Sequence, residues 1–191
     1  MTPLDSRLEE SSRRLVELTE DQLEIMGHIN FGLNPKMLIR GSAGSGKTFC
    51  ASVTAEAQAH KGLNVLFVCY NKKLSTLLNE GSLKDVNNVT VTTLHSLMTE
   101  IVEESDLSDK TGVARQSPDD DYFRYKLPEL CLQVLDGPDS AGYKYDVLIV
   151  DEGQDLQSEE YLLVLGELLQ GGFESGRWLF FYDDDQSIYL S

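Results

Sequence analysis

Five apolar runs punctuate the chain, and the stretches between them have helical character. Met37-Leu38-Ile39, running to Arg40, predicts a short strand. Asn64 to Tyr70 is continuously apolar, as a strand buried on both faces of a parallel sheet must be. Val89 to Thr93 alternates β-branched residues, Tyr145 to Val150 is a further buried strand, and Trp178 to Tyr182 is the fifth. Helices are predicted between them. Residues 5–17 carry Leu8 and Leu15, with Val16 and Leu18 following, on one apolar face. Asp21 to about Ile29 forms the next helix, and Phe49 to His60 is Ala-rich. Others run from His95 to Glu104, from Asp119 to Leu135 with Pro128 as a break or kink, and from Glu159 to Gln170. Strands alternating with helices predict an α/β fold of three layers, a parallel sheet flanked by helices.

Chemistry gathers where the predicted strands end. The first strand runs into Gly41-Ser42-Ala43-Gly44-Ser45-Gly46-Lys47-Thr48, which matches G-x-x-x-x-G-K-[ST], and the Ala-rich helix follows at once. Strand, glycine turn and helix form the setting in which backbone amides cradle nucleotide phosphates and the lysine reaches the β/γ oxygens. The helix N-terminus favours the same anion. The fourth strand delivers Asp151-Glu152 to its tip, followed by Gly153-Gln154-Asp155. Beside a P-loop, Asp151 and the Thr48 hydroxyl suit Mg²⁺, and Glu152 suits polarising an attacking water. At the end of the fifth strand, Gln186 is placed to bond a γ-phosphate, unless Asp183-Asp184-Asp185 is only an acidic turn.

Other positions keep two readings. Gln22 either completes a capping box with Thr19 or reads the edge of an adenine, since an amide both donates and accepts. Asn71, Lys72 and Lys73 follow the second strand, where ligands of open α/β sheets bind, and they either contact phosphates or open a helix. His95, after the third strand, either contacts a nucleic-acid backbone or caps and packs.

Composition narrows these options. The chain has 191 residues, enough for one substantial domain, and no apolar run approaches the roughly 20 residues of a membrane span. No signal-peptide pattern opens it. Cys50, Cys69 and Cys131 lack metal-ligand spacing and are expected as free thiols in a cytoplasmic protein. The net charge of −16 excludes binding nucleic acid with the whole surface and leaves room only for a local basic patch. Glu100 to Asp121 holds eight acids against Lys110 and Arg115, either a solvated face or a dock for a basic partner.

Taken in order, these segments resemble the first RecA-like domain of a superfamily 1 helicase of the UvrD/Rep type. LTEDQ at 18–22 is similar to that family's Q motif, GSAGSGKT to motif I, and FVCYNKKL at 67–74 to motif Ia. TTLHSL at 92–97 is similar to the next DNA-contact motif, VDEGQD at 150–155 to motif II, and DDDQSIY at 183–189 to motif III. The likeness leaves out about residues 100–144, a short acidic insertion. It implies that Gln22 contacts adenine, Lys47 the β/γ phosphates, Thr48 and Asp151 the Mg²⁺ that accompanies ATP, and Gln186 the γ-phosphate. Glu152 would be the catalytic base. Gln154 and Asp155 would couple this site to a neighbouring domain or to DNA. Asn71, Thr93 and His95 would lie on a single-stranded DNA path.

Two departures stand out. Tyr182 precedes the Asp of motif III where the family usually has Gly, and no second RecA-like domain follows Tyr189. Such a domain supplies transition-state arginines, so the chain is expected to bind Mg-ATP and turn it over poorly without that domain or a partner chain. The alternatives are a nucleotide-dependent switch that captures a partner without translocating, and a distinct ATPase or nucleotide kinase on the same core.

Overall fold

The computed structural model describes residues 20–107, 121–138, 140–156 and 158–183. The predicted helix at 5–17, Thr19, most of the acidic stretch and Gln186 lie outside the described residues. Five strands, β1 (Lys36–Gly41), β2 (Val65–Val68), β3 (Val89–Thr92), β4 (Val147–Val150) and β5 (Arg177–Asp183), form one sheet. Its order is β1-β5-β4-β2-β3, with every pair parallel. Helices α1 (Glu20–His28), α2 (Lys47–Ala59), α3 (Lys72–Glu80), α4 (Leu94–Glu103), α5 (Leu127–Leu135), α6 (Glu159–Leu168) and the short α7 (Gly172–Ser175) accompany it.

Alternation along the strands divides the core in two. Val65 and Phe67 of β2, with Val147 and Ile149 of β4, face Cys50, Ala51, Ala55 and Ala59 of α2. Leu66, Val68, Leu148 and Val150 face Leu97, Met98 and Ile101 of α4, Leu127 and Leu130 of α5, and Val164 and Leu165 of α6. Helices therefore cover both sides, and the fold is a three-layer, RecA-like α/β domain. The small alanines let α2 lie close to the sheet, which keeps the P-loop seated on the β1 tip.

The predicted helix over 119–135 is instead two pieces. A π-helical turn, Tyr122–Lys126, passes into α5, and Pro128, expected as a break or kink, stands in the first turn of α5 just after that change of register. A residue with an N–H at 128 would donate to the carbonyl of Arg124, or of Phe123 in π register. Proline donates to neither, and in a helix interior that costs about 3 kcal/mol. Here the loss is absorbed at a junction, where the Phe123 carbonyl accepts the Tyr161 hydroxyl at 3.4 Å. The fourth strand is also shorter than predicted, beginning at Val147. Tyr145 makes an isolated bridge to Leu169, because its backbone is taken by the end of α6. No described helix is long and apolar enough to cross a membrane.

Candidate nucleotide site

The turn between β1 and α2 carries the phosphate-binding pattern, and its glycines are used. Gly44 and Gly46 have φ of 76° and 86°, the left-handed region that L side chains rarely adopt. At Gly46 a Cβ would also fall 2.0 Å from Gln22 Nε2, which donates to the Ser45 carbonyl at 2.8 Å. Gln22 thus fastens α1 to the P-loop. Its partner in the expected capping box, Thr19, lies outside the described residues.

Lys47 points inward and is only 8% exposed. Its Nζ donates to the carbonyls of Gly41 at 2.8 Å and Ser42 at 3.0 Å, and stands 3.6 Å from Asp183 Oδ2. Asp183 reaches it because β5, not β4, lies beside β1 in the sheet. The last residue of β5 accordingly sits between the P-loop and the acidic pair on β4. Sequence reasoning missed this carboxylate. Its signal was its place at the head of DDDQSIY, the stretch likened to motif III, which says nothing of strand order.

Asp151 is fully buried at the β4 tip. Thr48 donates its hydroxyl to Asp151 Oδ2 at 2.5 Å, whereas Oδ1 has no hydrogen-bond partner among the described residues. Burial raises its pKa above the ordinary carboxylate value, opposed mainly by the Thr48 hydrogen bond. A buried carboxylate oxygen without a partner is costly unless something completes it. Among the described residues no group of three or more His, Cys, Asp or Glu could hold a metal alone. A Mg²⁺ ion fits this donor set, since it takes one or two protein oxygens and fills its shell with waters and substrate phosphates.

Glu152 follows with φ of 58°, unusual for a residue with a Cβ and typical of strained functional positions. Its carboxylate accepts from Gln154 Nε2 at 2.6 Å. Ala43, Gly44, Lys47, Thr48, Phe49, Glu152 and Asp183 line a cleft of about 600 Å³. A second hollow of about 330 Å³ lies on the Gln22 side of the loop.

The three residues proposed for a nucleic-acid path are not in either cleft. Asn71 is the N-cap of α3, its side chain accepting the Lys73 amide at 2.8 Å. Thr93 caps α4 by accepting the Ser96 amide at 3.2 Å. His95 is hydrogen-bonded through Nε2 to the Tyr161 hydroxyl at 2.6 Å, with its ring 5.4 Å from that of Phe123. Burial lowers its pKa, favouring the neutral ring. Cys50, Cys69 and Cys131 are free and buried. Burial pushes the Cys69 and Cys131 thiols up to about 12, with Asp151 adding to the effect at Cys69.

A glycine-rich loop, an inward lysine and a hydroxyl–carboxylate pair between the start of α2 and the tip of β4 define a P-loop nucleoside triphosphatase-like domain. The chain belongs to the AAA_19 family, described as an AAA domain, whose model matches residues 29–191. That family is helicase-like and occurs in UvrD/Rep-type proteins, so this is a P-loop ATP-binding domain of helicase type. Among curated proteins none matches the chain.

Proposed function

We propose that this chain is the first RecA-like, ATP-binding domain of a superfamily 1 helicase or translocase of the UvrD/Rep type. The observation that carries the reading is the Thr48–Asp151 pair with its unpartnered, buried Oδ1, set beside an inward Lys47. In this reading residues 41–48 bind the phosphates of ATP, Gln22 contacts the adenine, and Thr48 and Asp151 hold Mg²⁺. The ion would neutralise charge on the phosphate oxygens. Glu152 orients and deprotonates the attacking water, and Gln186 reports the γ-phosphate. Asn71, Thr93 and His95 would meet single-stranded DNA near the tips of β2 and β3. A second RecA-like domain, or a partner chain, would complete the site with arginines, which are worth about 10³–10⁵ in rate.

The test is nucleotide binding and hydrolysis by this chain, with and without single-stranded DNA. Saturating Mg-ATP at 100 times Kd should stabilise the chain by about 2.7 kcal/mol, and Lys47→Ala should lose most of that shift. Turnover should be negligible without a partner. An equal thermal shift in Lys47→Ala would place binding elsewhere; brisk turnover by the lone chain would refute the need for a second domain.

The net charge of −16 favours a second reading, a nucleotide-dependent switch that captures a basic partner without translocating. That reading predicts ATP-dependent capture of a cationic protein and no binding of DNA.

A further inference from the structure

One amide side chain joins the tips of β4 and β5. Gln154 lies in the 3₁₀ turn Gly153–Leu156 that follows β4. Its Nε2 donates to Glu152 Oε2 at 2.6 Å, and its Oε1 accepts the backbone N–H of Asp183 at 3.2 Å. The carboxylate of that same Asp183 stands 3.6 Å from Lys47 Nζ. A chain of contacts therefore runs from Glu152 through Gln154 and Asp183 to Lys47. It depends on close approach of the turn to β5. A Cβ at Gly153 would lie 2.9 Å from Tyr182 Cε2 and 3.0 Å from Phe180 Cδ1. Tyr182 is thus accommodated because position 153 has no side chain.

We propose that Gln154 is a positioning residue that makes the direction of the Glu152 carboxylate depend on whether Lys47 is paired with Asp183. This rests on the reading of Lys47 as a phosphate ligand. A polyphosphate anion in the P-loop competes with Asp183 for the ammonium and repels its carboxylate. Asp183 pairs in register with Gly41 at the end of the described part of β5, and its carboxylate and its N–H belong to one residue, so displacement of the first is carried to the second. The one amide group of Gln154 holds both Glu152 and the Asp183 N–H, and a displaced Asp183 N–H reorients it. The hold on Glu152 Oε2 then loosens, and the carboxylate turns toward the cleft it lines. The same contacts keep Glu152 held back while the P-loop is without nucleotide.

The experiment uses the 191-residue chain and follows the side-chain amide resonance of Gln154 by NMR, assigned through its loss in Gln154→Leu. The probe is the non-hydrolysable ATP analogue AMP-PNP with Mg²⁺. The backbone amides of Gly44 and Gly46 and the Gln154 side-chain amide should shift with one midpoint. In Asp183→Asn, which removes the pair with Lys47, the Gln154 resonance should begin displaced toward its bound position. Its nucleotide shift should then be at least about twofold smaller. A Gln154 resonance that stays still while the P-loop amides shift overturns the proposal and leaves the nucleotide site intact. So does an unchanged Gln154 response in Asp183→Asn; should that variant not fold, the wild-type titration alone decides. Absence of any shift in the P-loop amides refutes the underlying reading as well.

Discussion

The two halves of the sheet's C-terminal rim are built differently. At the tips of β1, β5 and β4, charged groups are buried. Lys47 and Asp183 are nearly sealed from solvent, Asp151 is fully buried with one oxygen unpartnered, and Glu152 has φ of 58°. At the tips of β2 and β3, polar groups have ordinary employment: Asn71 and Thr93 cap helices, and His95 packs on Tyr161 and Phe123. The first half is kept at a cost in stability that a ligand offsets. The second half contributes to stability by itself, with Tyr70, Lys72 and Lys73 exposed beside the capping residues.

That contrast can be broken by substitution. The largest effect is expected from Asp151→Asn, which removes a buried charge but leaves an oxygen for Thr48. The nucleotide-free variant should be more stable by about 1–3 kcal/mol, or roughly 2–4 °C in melting temperature per kcal/mol at this size. It should also lose the Mg²⁺-dependent part of nucleotide stabilisation. A lower melting temperature would mean that the carboxylate is already satisfied, and the two halves would no longer differ.

Thr93→Ala should act in the opposite sense. Losing an N-cap costs about 1 kcal/mol, measured by denaturant unfolding, with nucleotide binding unchanged. If instead Thr93→Ala kept its stability and weakened binding of a single-stranded oligonucleotide, the β2–β3 end would be ligand-built too.

The smallest effect concerns pH. Burial holds the His95 pKa below its ordinary value of 6.5; Glu100 and Glu103 line the hollow that His95 adjoins. The folded chain then binds fewer protons than the unfolded chain in that window. His95 therefore contributes stability that is full above about 6.5 and declines as pH falls toward its folded pKa. His95→Phe should flatten this part of the acid limb in melts taken between pH 5 and 7. An unchanged limb would mean that the ring is not held neutral by the Tyr161–Phe123 pocket.

Much of this was legible without coordinates, and the reason is local. A strand buried on both faces must be apolar throughout, so Val65–Val68 and Val147–Val150 announced themselves. The P-loop is a contiguous turn whose glycines, lysine and threonine act on one another within eight residues. Pairing Thr48 with Asp151 was also accessible, since the P-loop threonine opens the helix after one strand and the carboxylate directly follows another strand. Pro128 was legible as a break or kink, and the helix changes register beside it, but propensity did not show that the piece before it is a π turn.

What the sequence determined by itself is the inventory: which strands exist, which are central, and which turn takes phosphate. The tertiary structure alone decided their order. β5 is last among the described strands yet lies between the first and the fourth, and β4 and β5 are both interior strands of the sheet. That insertion brought Asp183 to Lys47 and its backbone N–H to Gln154. Strand order is a property of packing between distant segments, and no single stretch of chain encodes it.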